Sequence, residues 1–261
     1  MPFDQRQAVP PTVFLHIPKT AGQTVHNALS DMFGRDRTSP VRVHSQVADE
    51  ARQFPTGYAF YSGHLDWTTL ERLPNPRFVF TVLRDPRERI ASFYFYLQAE
   101  ARKLGPSALQ RPENLGKRRI LEVSADTYFF GGDPAWRRFV RDHYDNFYTA
   151  YFATRRFRGH EVLDTLPEAE VQARVTRNLA LIDRIYSTEA LADLERDILS
   201  AYRKEVHVTD RFDNAGSRPR NQPRWPDLVA RMESDAAARA LESYVIRDLD
   251  LMARLRLPAV K

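Results

Sequence analysis

Apolar positions fall along the chain either in short unbroken runs or at helical spacing, and the two kinds of segment alternate. The run 13–17, Val-Phe-Leu-His-Ile, stops at Pro18 and predicts a buried strand. Val25, Ala28, Leu29, Met32 and Phe33 then recur at helical spacing, so a helix is expected from just past Gly22 to a stop at Gly34. Residues 41–44 and 58–62 are two further short strand candidates, the second running into Gly63-His64. Residues 78–83 form the clearest strand. Arg84-Asp85-Pro86 ends it and opens a helix to about Ala101, because proline suits a first helical turn and aspartate favours its N-terminus. A basic loop is expected over 102–117, short helical pieces up to Gly159, a helix over 167–180 and a strand over 181–186. Ser187 or Thr188 should cap the next helix, an irregular basic loop covers 207–226, and helix closes the chain over 227–255. Strands alternating with helices predict an α/β fold with a parallel sheet, whose ligands sit beyond the carboxyl ends of the strands.

Composition narrows the class. The 261 residues are 43% hydrophobic and 28% charged, as in an ordinary globular protein, and there is no internal repeat or low-complexity tract. A single domain over 1–261 is expected, preceded by a flexible N-terminus over 1–11 that lacks the apolar core of a secretory signal. No apolar run approaches the roughly 20 residues that span a bilayer. The absence of cysteine rules out a disulfide scaffold, thiol catalysis and sulfur-based zinc sites, and fits a reducing compartment. The net charge of +5 is small, but its make-up is uneven: only five of the 39 cationic side chains are lysines. Arginine offers a planar fork for oxyanions, whereas a lysine is a compact charge that can follow one developing negative centre. A lysine inside a motif is therefore informative.

Three constellations carry chemistry. Pro18-Lys19-Thr20-Ala21-Gly22-Gln23-Thr24 lies between a predicted strand and helix, where successive backbone N–H groups and the positive helix end make an anion cradle. Its lysine comes first and it has one glycine, unlike the G-x-x-x-x-G-K-[ST] loop of nucleotide triphosphatases. Arg84 follows a buried strand at a position suited to paired hydrogen bonds with a phosphate, and Ser92 comes about two helical turns later. Gly63-His64 follows another strand on the same predicted edge.

The segments 14–24 and 80–94 resemble the 5′-phosphosulfate and 3′-phosphate motifs of sulfotransferases that use PAPS, 3′-phosphoadenosine 5′-phosphosulfate, and most of all the carbohydrate branch that includes heparan sulfate 2-O-sulfotransferase. The resemblance implies a P-loop-like three-layer fold with a central parallel β-sheet flanked by helices, and transfer without a metal. It implies that Lys19, Thr20, Ala21, Gly22, Gln23 and Thr24 wrap the 5′-phosphosulfate, with Lys19 against the bridging oxygen, and that Arg84 and Ser92 take the 3′-phosphate. Phe60-Tyr61-Ser62-Gly63-His64-Leu65 is similar to the strand-end segment whose histidine is the base in that branch, which makes His64 the proton acceptor. The branch has a second histidine two residues earlier, where this chain has Ser62. Asn214, Gly216, Ser217 and Arg218 resemble part of a late loop, 205–226 here, that closes over the nucleotide.

The implied activity is in-line transfer of a sulfuryl group from PAPS to an acceptor hydroxyl, on a carbohydrate or another hydroxylated small molecule, releasing 3′,5′-ADP (PAP). The Golgi relatives carry a membrane anchor and disulfides, so a cytoplasmic, bacterial form is expected. Three rivals remain at this level: an ATP- or GTP-dependent phosphotransferase, opposed by the lysine position; a basic nucleic-acid-binding protein, opposed by the small charge and interspersed acids; and a PAP binder without catalysis, opposed by intact Lys19, Arg84 and His64. His16 is expected inside the first strand, and His26, His44, His143, His160 and His207 have no metal-type spacing. The arginine clusters 118–119, 137–138 and 155–158 read as solvated faces, and the aromatics Tyr128, Phe129, Phe130 and Trp136 as core.

Overall fold

A computed structural model describes residues 10–210 and 222–257. Residues 1–9, most of the expected N-terminal arm, and Asn214, Gly216, Ser217 and Arg218 of the expected covering loop lie outside the described residues. The chain divides into two compact units, one holding residues 10–84 and 149–210, the other 85–148 and 222–257.

The first unit is built on four parallel strands, β1 (Thr12–Leu15), β2 (Phe60–Gly63), β3 (Phe78–Leu83) and β4 (Arg184–Ser187), in the order β2-β1-β3-β4. Side chains alternate across the sheet. Phe14, Phe60, Phe80, Val82 and Tyr186 pack with Val25, Leu29 and Phe33 of helix α1 (Gly22–Phe33) and with Leu191, Leu194 and Ile198 of helix Leu191–Tyr202. The opposite positions, Val13, Leu15, Val79 and Leu83, are also buried. Burial on both faces explains why these strands read as continuous apolar runs. This is the expected α/β architecture with a helix-flanked parallel sheet.

The second unit gathers helix α2 (Pro86–Arg102) and the shorter helices of 115–144 and 225–254 around Tyr94, Tyr128, Phe129, Trp136 and Tyr144. Glu88 is buried and its carboxylate accepts from the backbone N–H groups of Arg224 and Trp225 at 2.7 and 2.9 Å, which makes it a brace.

Several expected boundaries move. β1 ends at Leu15, so His16 lies just past the strand and not inside it. Residues 41–44 form no strand: Val43 makes one isolated parallel bridge to His64, and a 3-10 turn follows over His44–Gln46. The last strand starts at Arg184, because residues 180–182 are spent finishing the preceding helix. Neither Ser187 nor Thr188 caps the next helix; both hydroxyls donate to the Glu189 carboxylate. The basic loop after α2 contains helical turns at Pro106–Leu109 and Pro112–Asn114, and helix Leu115–Glu122 starts within it. The closing helix is three pieces, Trp225–Val229, Asp235–Ser243 and Ile246–Arg254.

Candidate active site

Parallel register brings three chain segments to one edge of the first unit. Leu15 pairs with Gly63 and with Thr81, so β1 delivers His16 and the turn 17–21 beside the end of β2, which delivers His64. β3 ends next to them and delivers Arg84.

The turn from β1 to α1 has the backbone of an anion cradle. Lys19 and Ala21 both adopt left-handed conformations, φ 70° and 61°, although neither is glycine. Such residues cost about 1 kcal/mol each or more and persist where the surrounding structure holds them, which is common at ligand sites. Alternation of left- and right-handed residues turns successive N–H groups into one concavity. Ala21 is the N-cap of α1, no side chain caps it, and no acidic residue lies in the first turn. The N–H groups of Gly22, Gln23 and Thr24 therefore have no acceptor within the helix and sit at the positive end of a 12-residue helix. Thr20 is fully buried and its hydroxyl donates to the Ile17 carbonyl at 2.8 Å, so it braces the turn. Gln23 is exposed and donates to Asn27 at 2.7 Å.

Glycine is required at two points. A Cβ on Gly22 would lie 1.7 Å from Nε2 of His16, and one on Gly63 would lie 2.2 Å from the Arg42 carbonyl oxygen. The second contact exists because residues 42–44 flank the end of β2: the His64 N–H donates to the Arg42 carbonyl at 2.8 Å and the His44 N–H to the His64 carbonyl at 2.7 Å.

His64 is thus held through its own backbone, and its ring is fixed as well. Nδ1 donates to the His16 carbonyl at 2.8 Å. A carbonyl can only accept, so the proton sits on Nδ1 and Nε2 keeps its lone pair. Burial pushes the His64 pKa down to about 4, with the Arg42 charge and His44 adding to the effect and the bond to the His16 carbonyl opposing it. At neutral pH the ring is a neutral imidazole whose Nε2 can accept. The His16 ring lies 4.4 Å from it, centroid to centroid, and Phe157 packs at 5.2 Å.

Sequence reasoning missed Arg42 and underrated His16 and His26. Arg42 Nη1 donates to His26 Nε2 on α1, so His26 is neutral, and burial with the Arg42 charge lowers its pKa to about 4. Burial, His64 and Arg42 also hold His16 well below the ordinary range. The Arg42 Nε is buried without a hydrogen-bond partner. The usable signal for Arg42 was the alternation at 41–44, which marks a segment running alongside β2 without completing a strand.

Arg84 follows β3 and is half-buried; Ser92, also half-buried, lies on α2 in the second unit. Asp85 caps α2, accepting from the Glu88 N–H at 3.1 Å. Of the basic clusters, Arg155 pairs with Glu71 and Arg156 with Glu50, while Arg119 pairs with Asp133 and lies 4.8 Å over the Trp136 ring. Tyr128, Phe129 and Trp136 are buried, as expected.

A model of the sulfotransferase family matches residues 10–160, more than half of the chain, a stretch that includes β1 to β3, α1, α2, His64, Arg84 and Ser92. The chain belongs to the sulfotransferase family. No curated protein matches it. The matched stretch includes both strand-to-helix turns and His64. Among the described residues no helix is long and apolar enough to cross a membrane.

Proposed function

We propose that this sulfotransferase moves a sulfuryl group from PAPS to a carbohydrate hydroxyl, with His64 as general base and Lys19 as the cation that follows the leaving phosphate. PAPS supplies the activated sulfuryl group. The backbone N–H groups of Gly22, Gln23 and Thr24, with Lys19, suit its 5′-phosphosulfate; Arg84 and Ser92 suit the 3′-phosphate that distinguishes it from ATP.

The observation that carries the reading is the Nδ1–H bond from His64 to the His16 carbonyl, which leaves Nε2 as a lone-pair acceptor on the edge where the cradle opens. An alcohol is a poor nucleophile until its proton is removed, and an oriented neutral imidazole does this without first losing a proton of its own. Catalysis then consists of positioning and charge stabilisation, as in phosphoryl transfer. The carbohydrate acceptor rests on the likeness of Gly63-His64 to the branch containing heparan sulfate 2-O-sulfotransferase, with Ser62 as the departure from it.

His64→Ala should retain PAP affinity within about twofold and lose about a thousandfold in turnover, within the usual span for a general base. Calorimetry with PAP and transfer of radiolabel from PAPS to a panel of glycans and hydroxylated small molecules measure the two quantities. Full turnover in the variant would remove His64 from the mechanism, and tighter binding of ATP than of PAP would favour a phosphotransferase.

A further inference from the structure

The His16 side chain is unexplained by the proposed mechanism, which uses only its carbonyl. Its ring is buried, stacks on Phe14 at 5.3 Å and 13°, and meets the His64 ring at 4.4 Å. It also occupies the space that a side chain at position 22 would need. One imidazole therefore touches the glycine of the anion cradle on one side and the candidate base on the other. Its Nδ1 is buried without a hydrogen-bond partner, so that nitrogen does not account for its presence.

We infer that His16 is a positioning residue whose ring transmits the position of the cradle backbone at Gly22 to the His64 imidazole, coupling donor binding to alignment of the base. This rests on the sulfotransferase reading. The ring is packed against Phe14, His64 and Gly22, and close-packed interiors pass small displacements on. A proton relay through the pair does not fit, because His64 Nδ1 is engaged by the backbone carbonyl and not by the His16 ring. The charged and titratable groups acting on His16 are His64, Arg42, His26 and Lys19, all of which disfavour a proton on it, so it works as a neutral spacer.

The test is histidine-selective 15N NMR of the whole chain titrated with PAP. In the native protein His64 should be the Nδ1–H tautomer and its ring signals should shift as PAP saturates. In His16→Ala, PAP affinity should stay within about threefold, while the PAP-induced shift of His64 falls to about a third or less and the tautomers mix, as expected when a packed neighbour is deleted. His16→Met, which restores bulk without ring nitrogens, should recover most of the shift and also serves if the alanine variant fails to fold. An unchanged His64 response in His16→Ala, or a methionine variant as defective as the alanine one, would overturn the coupling. Both results leave the His64→Ala transfer assay untouched, so a failure here is distinct from failure of the base assignment. Absence of PAP binding to the native protein would overturn both.

Discussion

Two strand-to-helix turns in this chain start from the same plan and finish differently. After β1, the turn reaches α1 through two left-handed residues and leaves the helix N-terminus without a side-chain cap or an acid in its first turn. After β3, Asp85 caps α2 with its own carboxylate, Pro86 occupies the first helical turn and Glu88 adds a second acid there. Elementary electrostatics gives the two ends opposite uses. An uncapped helix end with several N–H groups that have no acceptor within the helix attracts an external anion, whereas an end already supplied with a carboxylate has little left to offer one. If, as proposed, both turns hold phosphate, the first grips mainly with backbone and the second must grip with a side chain, that of Arg84.

The largest effect that separates these modes is expected at Arg84. Arg84→Ala should weaken PAP about thirtyfold, the worth of a charge-assisted hydrogen bond, yet barely alter binding of 5′-AMP, which lacks the 3′-phosphate. Equal losses for both ligands by calorimetry would mean that Arg84 does not read the 3′-phosphate. At the first turn the complementary change is Gln23→Glu, an isosteric acid in the exposed first turn of α1. It should raise the melting temperature slightly, by about 0.5 kcal/mol of helix-dipole stabilisation, and weaken PAP about tenfold. Opposite signs in the two measurements are the signature of a helix end kept open for a ligand; a stability gain with unchanged affinity would break the comparison.

The first turn should also be the acid-sensitive one. His26 and His64 titrate near 4 in the folded protein against 6.5 for a free imidazole. Between these values the unfolded chain binds protons that the folded chain refuses, so their contribution is intact above about pH 6.5 and is lost as pH falls toward about 4. His26→Gln, which keeps an acceptor for Arg42 but removes one titrating group, should flatten the fall in melting temperature over that range. PAP should raise the His64 pKa, because a nearby anion favours imidazolium.

Much of this was legible in the sequence because it depended on local signals. The apolar run at 78–83, the Asp-Pro start of α2, the helical spacing after Gly22 and the loop between them all act within a few residues, and the structure keeps them. The parts that were not legible are long-range. His16 looked like a strand residue, since nothing local says that β1 stops at Leu15; its role comes from ring packing against a histidine 48 positions away and from the bare face of Gly22. Arg42 sat in an apparent strand, and only the close approach of its backbone to Gly63 places it beside His64. Ser187 and Thr188 looked like caps because hydroxyls favour that position, but Glu189 competed for them.

The smallest expected effect is the sharpest test of how the second turn works. Asp85 sits next to the arginine assigned to the 3′-phosphate, and a carboxylate so close to a bound phosphate would ordinarily be repulsive. Its carboxylate is instead buried and bonded to the Glu88 N–H at 3.1 Å, within the helix end itself. Asp85→Ala should therefore cost about 1 kcal/mol of stability, the usual worth of an N-cap, and change PAP affinity by no more than about twofold. Thermal melts and calorimetry on one preparation give both numbers. Tighter binding by tenfold or more would mean that the uncapped end of α2 had begun to hold phosphate with its backbone, and the division of labour between the two turns would then depend on this one carboxylate and not on the arginine beside it.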